Sequence, residues 1–94
     1  MLTHVVLFTL SDPSDTAEAI ERLRALDGQI PELLSLRVGT DTTDNPAASH
    51  IALISEHADA AGLRGYQEHP VHQELLAWLR PRLASRVVVD SSDL

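Results

Sequence analysis

Leu2-Thr3-His4-Val5-Val6-Leu7-Phe8-Thr9-Leu10 decides how this chain is built. Its Val, Leu, Phe and Thr residues favour extended backbone, and both alternating sets, Val5/Leu7 and Val6/Phe8/Leu10, are apolar. That pattern fits a strand covered on both sides, with His4 on the face of Val6 and Phe8. A single layer of helices covers one face of a sheet, so such a strand asks for a second cover on the other. Immediately downstream, Asp12-Pro13 supplies a helix cap followed by proline at the first helical position, and Asp15-x-x-Glu18 offers a second start. The spacing predicts a helix over about 13–27. Ile20, Leu23 and Leu26 or Asp27 fall on its inner stripe, Glu18, Glu21, Arg22 and Arg24 face water, and Gly28 stands where a left-handed cap is expected.

Leu34, Leu36 and Val38 alternate with Ser35 and Arg37 in a second strand that runs to about Asp41, and 42–49 reads as a loop around Asp44-Asn45-Pro46. His50 to Glu56 is a third strand, and Asp59 caps a short helix over 60–68. Pro70 opens another helix to about Arg80, with Leu75, Leu76, Leu79 and Leu83 as its apolar stripe and His72 pointing the same way. Arg86 to Asp90 is a fourth strand. The order βαββααβ predicts an α+β domain with a four-stranded, mostly antiparallel sheet and helices on one face. The uncovered face is expected to carry Val6, Phe8 and part of the 87–89 run, and a second copy of the chain is its simplest cover. Val6 and Phe8 are therefore expected near a homodimer interface or lining the adjoining cavity.

Ninety-four residues, 1–94, leave room for one domain, and with a single Phe, Trp and Tyr its core must be aliphatic. The net charge of −7 argues against nucleic-acid and anionic-membrane partners, which require a field that attracts phosphate. Without cysteine, thiolate nucleophiles, disulfides and thiolate metal sites are excluded. Gly62 and Gly65 belong to no phosphate loop, and the acidic run Asp12, Asp15, Glu18, Glu21 reads as a solvated helix face. The N-terminus has no basic region, and Asp12 interrupts the apolar run that follows it, so no secretory signal or membrane span is expected and the protein is read as cytoplasmic. Neither a cofactor nor a metal is called for.

Five histidines are many for this length, and three of them, with the only tyrosine, fall in Tyr66-Gln67-Glu68-His69-Pro70-Val71-His72 or point toward it. A phenol and an imidazole converging on an apolar cavity can act together, one polarising a carbonyl and the other moving a proton. The same residues fit a plainer role, His72 filling the seam between two helices and Tyr66 spanning core and surface. His69 and His72 are spaced like a metal pair, but Pro70 lies between them and no third ligand is placed, so His69 reads as a helix-junction residue. His50 and His57 have opposite parity on one strand, which leaves only His50 to share a cavity with His4.

Thr3-His4-Val5-Val6-Leu7-Phe8, Ile30-Pro31, Tyr66-x-x-His69-Pro70-x-His72 and Val87-Val88-Val89-Asp90 together resemble the stress-responsive dimeric α+β barrel (Dabb) family over nearly the whole chain. The resemblance implies a ferredoxin-like monomer whose sheet packs against that of a twofold-related partner, each half enclosing a cavity between sheet and helices. Most members have no assigned reaction. The family includes a plant olivetolic acid cyclase, a cofactor-free enzyme that closes a linear polyketide thioester by aldol condensation. Its catalytic Tyr and His look like Tyr66 and His72, and two further pocket histidines look like His4 and His50. The chain departs from the family at His57, where a buried Phe is usual, and is shorter in the first helix and at the C-terminus. Three roles follow: a binder of an apolar small molecule at His4, Val6, Phe8 and His50, a cofactor-independent cyclase or lyase acting through Tyr66 and His72, or a structural module.

Overall fold

The computed structural model describes residues 1–94 and orders them as β1 (Leu2–Leu10), a 3-10 turn at Pro13–Asp15, α1 (Thr16–Arg24), β2 (Ser35–Thr40), β3 (Ile51–His57), α2 (Ala60–Glu68), α3 (Pro70–Leu79), a second 3-10 turn at Arg80–Arg82, and β4 (Leu83–Ser91). The strands form one sheet in the order β2-β3-β1-β4, and every neighbouring pair is antiparallel. The architecture is the expected ferredoxin-like α+β domain.

Local chemistry explains the element boundaries. The Asp12 carboxylate accepts from the Ser14 amide ahead of Pro13, and Asp59 does the same for Gly62 at the start of α2. The first helix is shorter than its periodicity predicts. After Arg24 the amides of Leu26, Asp27 and Gln29 bond three residues back, so the chain tightens into turns and closes on Gly28 at φ +81. Leu83, expected in the α3 stripe, instead opens β4. Pro81 has no amide hydrogen to continue the helix, and the Ser11 amide fixes the exit by donating to the Arg82 carbonyl at 2.9 Å.

The two faces of β1 are the reverse of the expectation. Val6, Phe8 and Leu10 face the helices and are buried within one chain, as are Ile51 and Leu53 on β3, where they pack with Leu23, Leu63, Leu75 and Leu79. The open face carries Val5 and Leu7, flanked in register by Ala52 and Ile54 on β3 and by Val87 and Val89 on β4. Val6 and Phe8, 1% and 4% exposed, therefore belong to the monomer core and lie at no open sheet surface. With both sets apolar, β1 by itself could not reveal which side meets the helices. No helix is long and apolar enough to cross a membrane.

Candidate functional site

Four elements each send one polar ring between the sheet and the helices. His4 of β1 stands opposite Ser55 on the inner face of the sheet, and His57 of β3, two residues beyond Ser55, shares that face. Tyr66 lies one helical turn from Leu63 on α2, and His72 precedes Leu75 by one turn on α3, so both rings follow leucines into the core. All four side chains are buried. Tyr66 is the hub: its ring centroid is 4.5 Å from that of His72, 4.8 Å from His57 and 6.4 Å from His4.

Each histidine is oriented by an acceptor on Nδ1. His57 donates to the Glu32 carbonyl at 2.9 Å, so its neutral Nε2 accepts the Ser55 hydroxyl at 2.9 Å. His72 donates to the Gln67 carbonyl at 3.1 Å, and His4 to the Asp90 carboxylate at 2.5 Å. His57 thus spends both nitrogens, whereas His4 and His72 each keep an Nε2 with no partner in the chain. The Tyr66 hydroxyl has none either. Every side-chain nitrogen or oxygen sealed from solvent does have a partner, so these three atoms must face accessible space.

Burial sets the protonation of the pair. Desolvation pushes the His72 imidazole down to about 4, against the Gln67 hydrogen bond and together with the positive charges of His4, Arg86 and Arg80. Desolvation pushes the Tyr66 phenol up to about 12, with Arg86 acting in the opposite direction. His57 is lowered too, again mainly by burial. At neutral pH the cluster therefore presents a neutral imidazole acceptor and a phenol donor 4.5 Å apart, ring to ring.

His72 also forms part of the wall of a pocket of about 290 Å³ between α3 and β4, together with Gln67, Leu76, Arg80, Leu83 and Arg86. Val6 and Phe8 are not among its walls. His50 stands just ahead of β3, half-buried, with Nδ1 accepting the Leu10 amide at 3.0 Å, where it ties off the end of the sheet. The histidine that joins His4 is His57, contrary to the parity expectation; the alternation Ile51, Leu53, Ser55, His57 held the signal once Val6 was known to face inward. His69 does sit at the helix junction, its Nδ1 accepting the Val71 amide at the start of α3. Asp90, Arg80 and Arg86 were missed in the sequence because their roles depend on the pairing of β4. No group of three His, Asp or Glu side chains comes together in a way that could hold a metal ion.

The model of the stress responsive A/B barrel domain family matches residues 2–93. An uncharacterized protein of Streptomyces coelicolor is 37% identical over 95 residues, which cover 96% of this chain and 97% of the relative. Among solved structures, a dimeric ferredoxin-like protein of unknown function from Thermobifida fusca superposes with a TM-score of 0.84 at 32% identity, over 96% of this chain and 88% of that one. A dimeric protein of unknown function and ferredoxin-like fold from Bacteroides fragilis gives 0.82 at 28% identity, over 96% and 93%.

Proposed function

The chain belongs to the stress responsive A/B barrel domain family, and we propose that it binds an apolar small molecule bearing a carbonyl group at the edge of the cavity where His72 meets Tyr66. One observation carries the reading: the Tyr66 hydroxyl and the His72 Nε2 are polar, largely enclosed and unpartnered within the chain, which is how a site set to hydrogen-bond a ligand differs from a satisfied core. A purely structural role accounts for the Nδ1 bond of His72 to the Gln67 carbonyl but leaves those two atoms unused. The binding test is an NMR titration with neutral apolar ketones such as acetophenone. Saturable shifts are expected at the Tyr66 and His72 rings, weakened in Tyr66→Phe and His72→Ala. Shifts absent at both rings would overturn the site.

A catalytic reading, cofactor-free aldol cyclisation, draws on the same pair. The proton on carbon next to a ligand carbonyl would pass to His72 Nε2, and the Tyr66 hydroxyl would hydrogen-bond the enolate oxygen as charge develops there. The enolate carbon would then form the new bond to a second carbonyl, whose oxygen takes the proton back from the imidazolium. With a linear polyketone thioester as substrate, Tyr66→Phe and His72→Ala should each lower kcat by about 10²-fold or more, with unchanged circular dichroism. Parent rates in both variants would make Tyr66 and His72 packing residues.

A further inference from the structure

The pocket between α3 and β4 is electropositive in a chain whose net charge is −7. Arg80, at the end of α3, and Arg86, on β4, both line it. Arg86 pairs in register with Phe8, so it stands on the helix-facing side of the sheet. Neither guanidinium has an ion-pair partner: the only two salt bridges of the chain are His4 with Asp90 and Arg22 with Glu18. Three of the other five arginines are occupied, and the remaining two, Arg37 on β2 and Arg64 on α2, line no part of this pocket. Arg24 donates to the Val38 carbonyl, and Arg82 donates to the Trp78 carbonyl while stacking, like Arg22, on the Trp78 ring. The carboxylate nearest to Arg86 on the same face of β4 is Asp90, about 13 Å further along an extended strand and already engaged by His4. No acidic residue lines the pocket.

We propose that this pocket takes the carboxylate of a small organic acid on Arg80 and Arg86, with the apolar body of the acid against Leu76 and Leu83 and its inner end at His72. The inference rests on the site of the proposed function and adds the charge of its ligand. Guanidinium groups present forked donors that match a carboxylate, and here two such forks without protein acceptors line one pocket. Two leucines beside them favour an organic acid over inorganic phosphate, which has no apolar part to bury. The charges acting on the inner pair agree: Arg86 acts on Tyr66, Arg86, Arg80 and His4 act on His72, and no carboxylate contributes to either.

The test compares benzoate with its neutral isostere benzamide, followed by NMR on the whole chain with inorganic phosphate as a competitor. Benzoate should bind about tenfold or more tightly than benzamide, the size of a charge-assisted pair. Arg80→Gln and Arg86→Gln should each reduce that preference, the double variant should abolish it, and Arg64→Gln, on the exposed face of α2, should leave it unchanged. Equal binding of the two probes, a preference that survives in the double variant, or displacement of benzoate by phosphate at equal concentration would each overturn the proposal. The two readings fail separately. Benzamide shifting Tyr66 and His72 without any benzoate preference removes the arginine site alone, whereas an arginine-dependent benzoate preference without shifts at Tyr66 and His72 keeps the carboxylate on the two arginines and removes both the Tyr66–His72 site and the placement of the acid's inner end at His72.

Discussion

His72 makes the folded chain a poor proton acceptor where the unfolded chain is a good one. An unfolded histidine titrates near 6.5, but burial holds His72 at about 4. Between those values the unfolded state carries the proton and the folded state does not, so stability is fully present above pH 6.5 and is lost as pH falls toward 4. From about pH 7 to about pH 5 this one residue should remove about 2 kcal/mol. His57, lowered by the same cause, adds a loss of the same sign. Urea unfolding at the two pH values is expected to show the parent weakening more than His72→Phe. Equal pH dependence in the two proteins would mean that His72 is not held neutral by the fold.

β3 presents Ile51, Leu53, Ser55 and His57 to the helices, an apolar row that ends in a hydrogen-bonded polar pair. Ser55 is fully buried, and its hydroxyl depends on His57 Nε2. Replacing His57 by Phe should therefore cost about 1–3 kcal/mol by stranding that hydroxyl, and His57→Phe/Ser55→Ala should recover most of the loss because both polar partners are then gone. Denaturant midpoints of the two variants check this, and a double variant no more stable than the single one would trace the cost to packing of the larger ring. The elements themselves were legible where the code is local: the Asp12-Pro13 and Asp59 caps, the turn glycine at 28, the His69-Pro70 junction and the alternating strands all appear in the sequence as they do in the fold. The site was legible only in part. Tyr66 and His72 follow from helical spacing, but pairing His4 with Asp90 and bringing Arg86 toward His72 require the β1–β4 register, which joins residues more than seventy positions apart. The parity of His57 was lost for a related reason, since two apolar faces on β1 leave the inward side undetermined until the helices dock.

At the scale of the whole molecule, the inner face of the sheet is satisfied within one chain and the outer face is not. Val5, Leu7, Ala52, Ile54, Val87 and Val89 form a continuous apolar surface across β3, β1 and β4, and Val87 and Val89 are 56% and 62% exposed. A small acidic protein with an aliphatic core gains most by burying such a surface against its own copy, because a twofold axis sets each valine against apolar side chains of the partner. The relatives from Thermobifida fusca and Bacteroides fragilis that share this fold are dimeric. The expected species is therefore a homodimer joined sheet to sheet through this face, with each α3–β4 pocket on the opposite, helix-covered side and open to ligand. Val87→Asp/Val89→Asp would place four carboxylates in that interface, two from each copy, beside the apolar side chains of Val5 and Leu7. Sedimentation at micromolar concentration should show the parent at twice the mass of the 10.3 kDa chain and the double variant at a single chain mass. Because Val87 and Val89 point away from His72, the monomeric variant should keep the benzoate preference of the pocket, whereas a parent that sediments as a single chain would leave the valine face without the cover assigned to it.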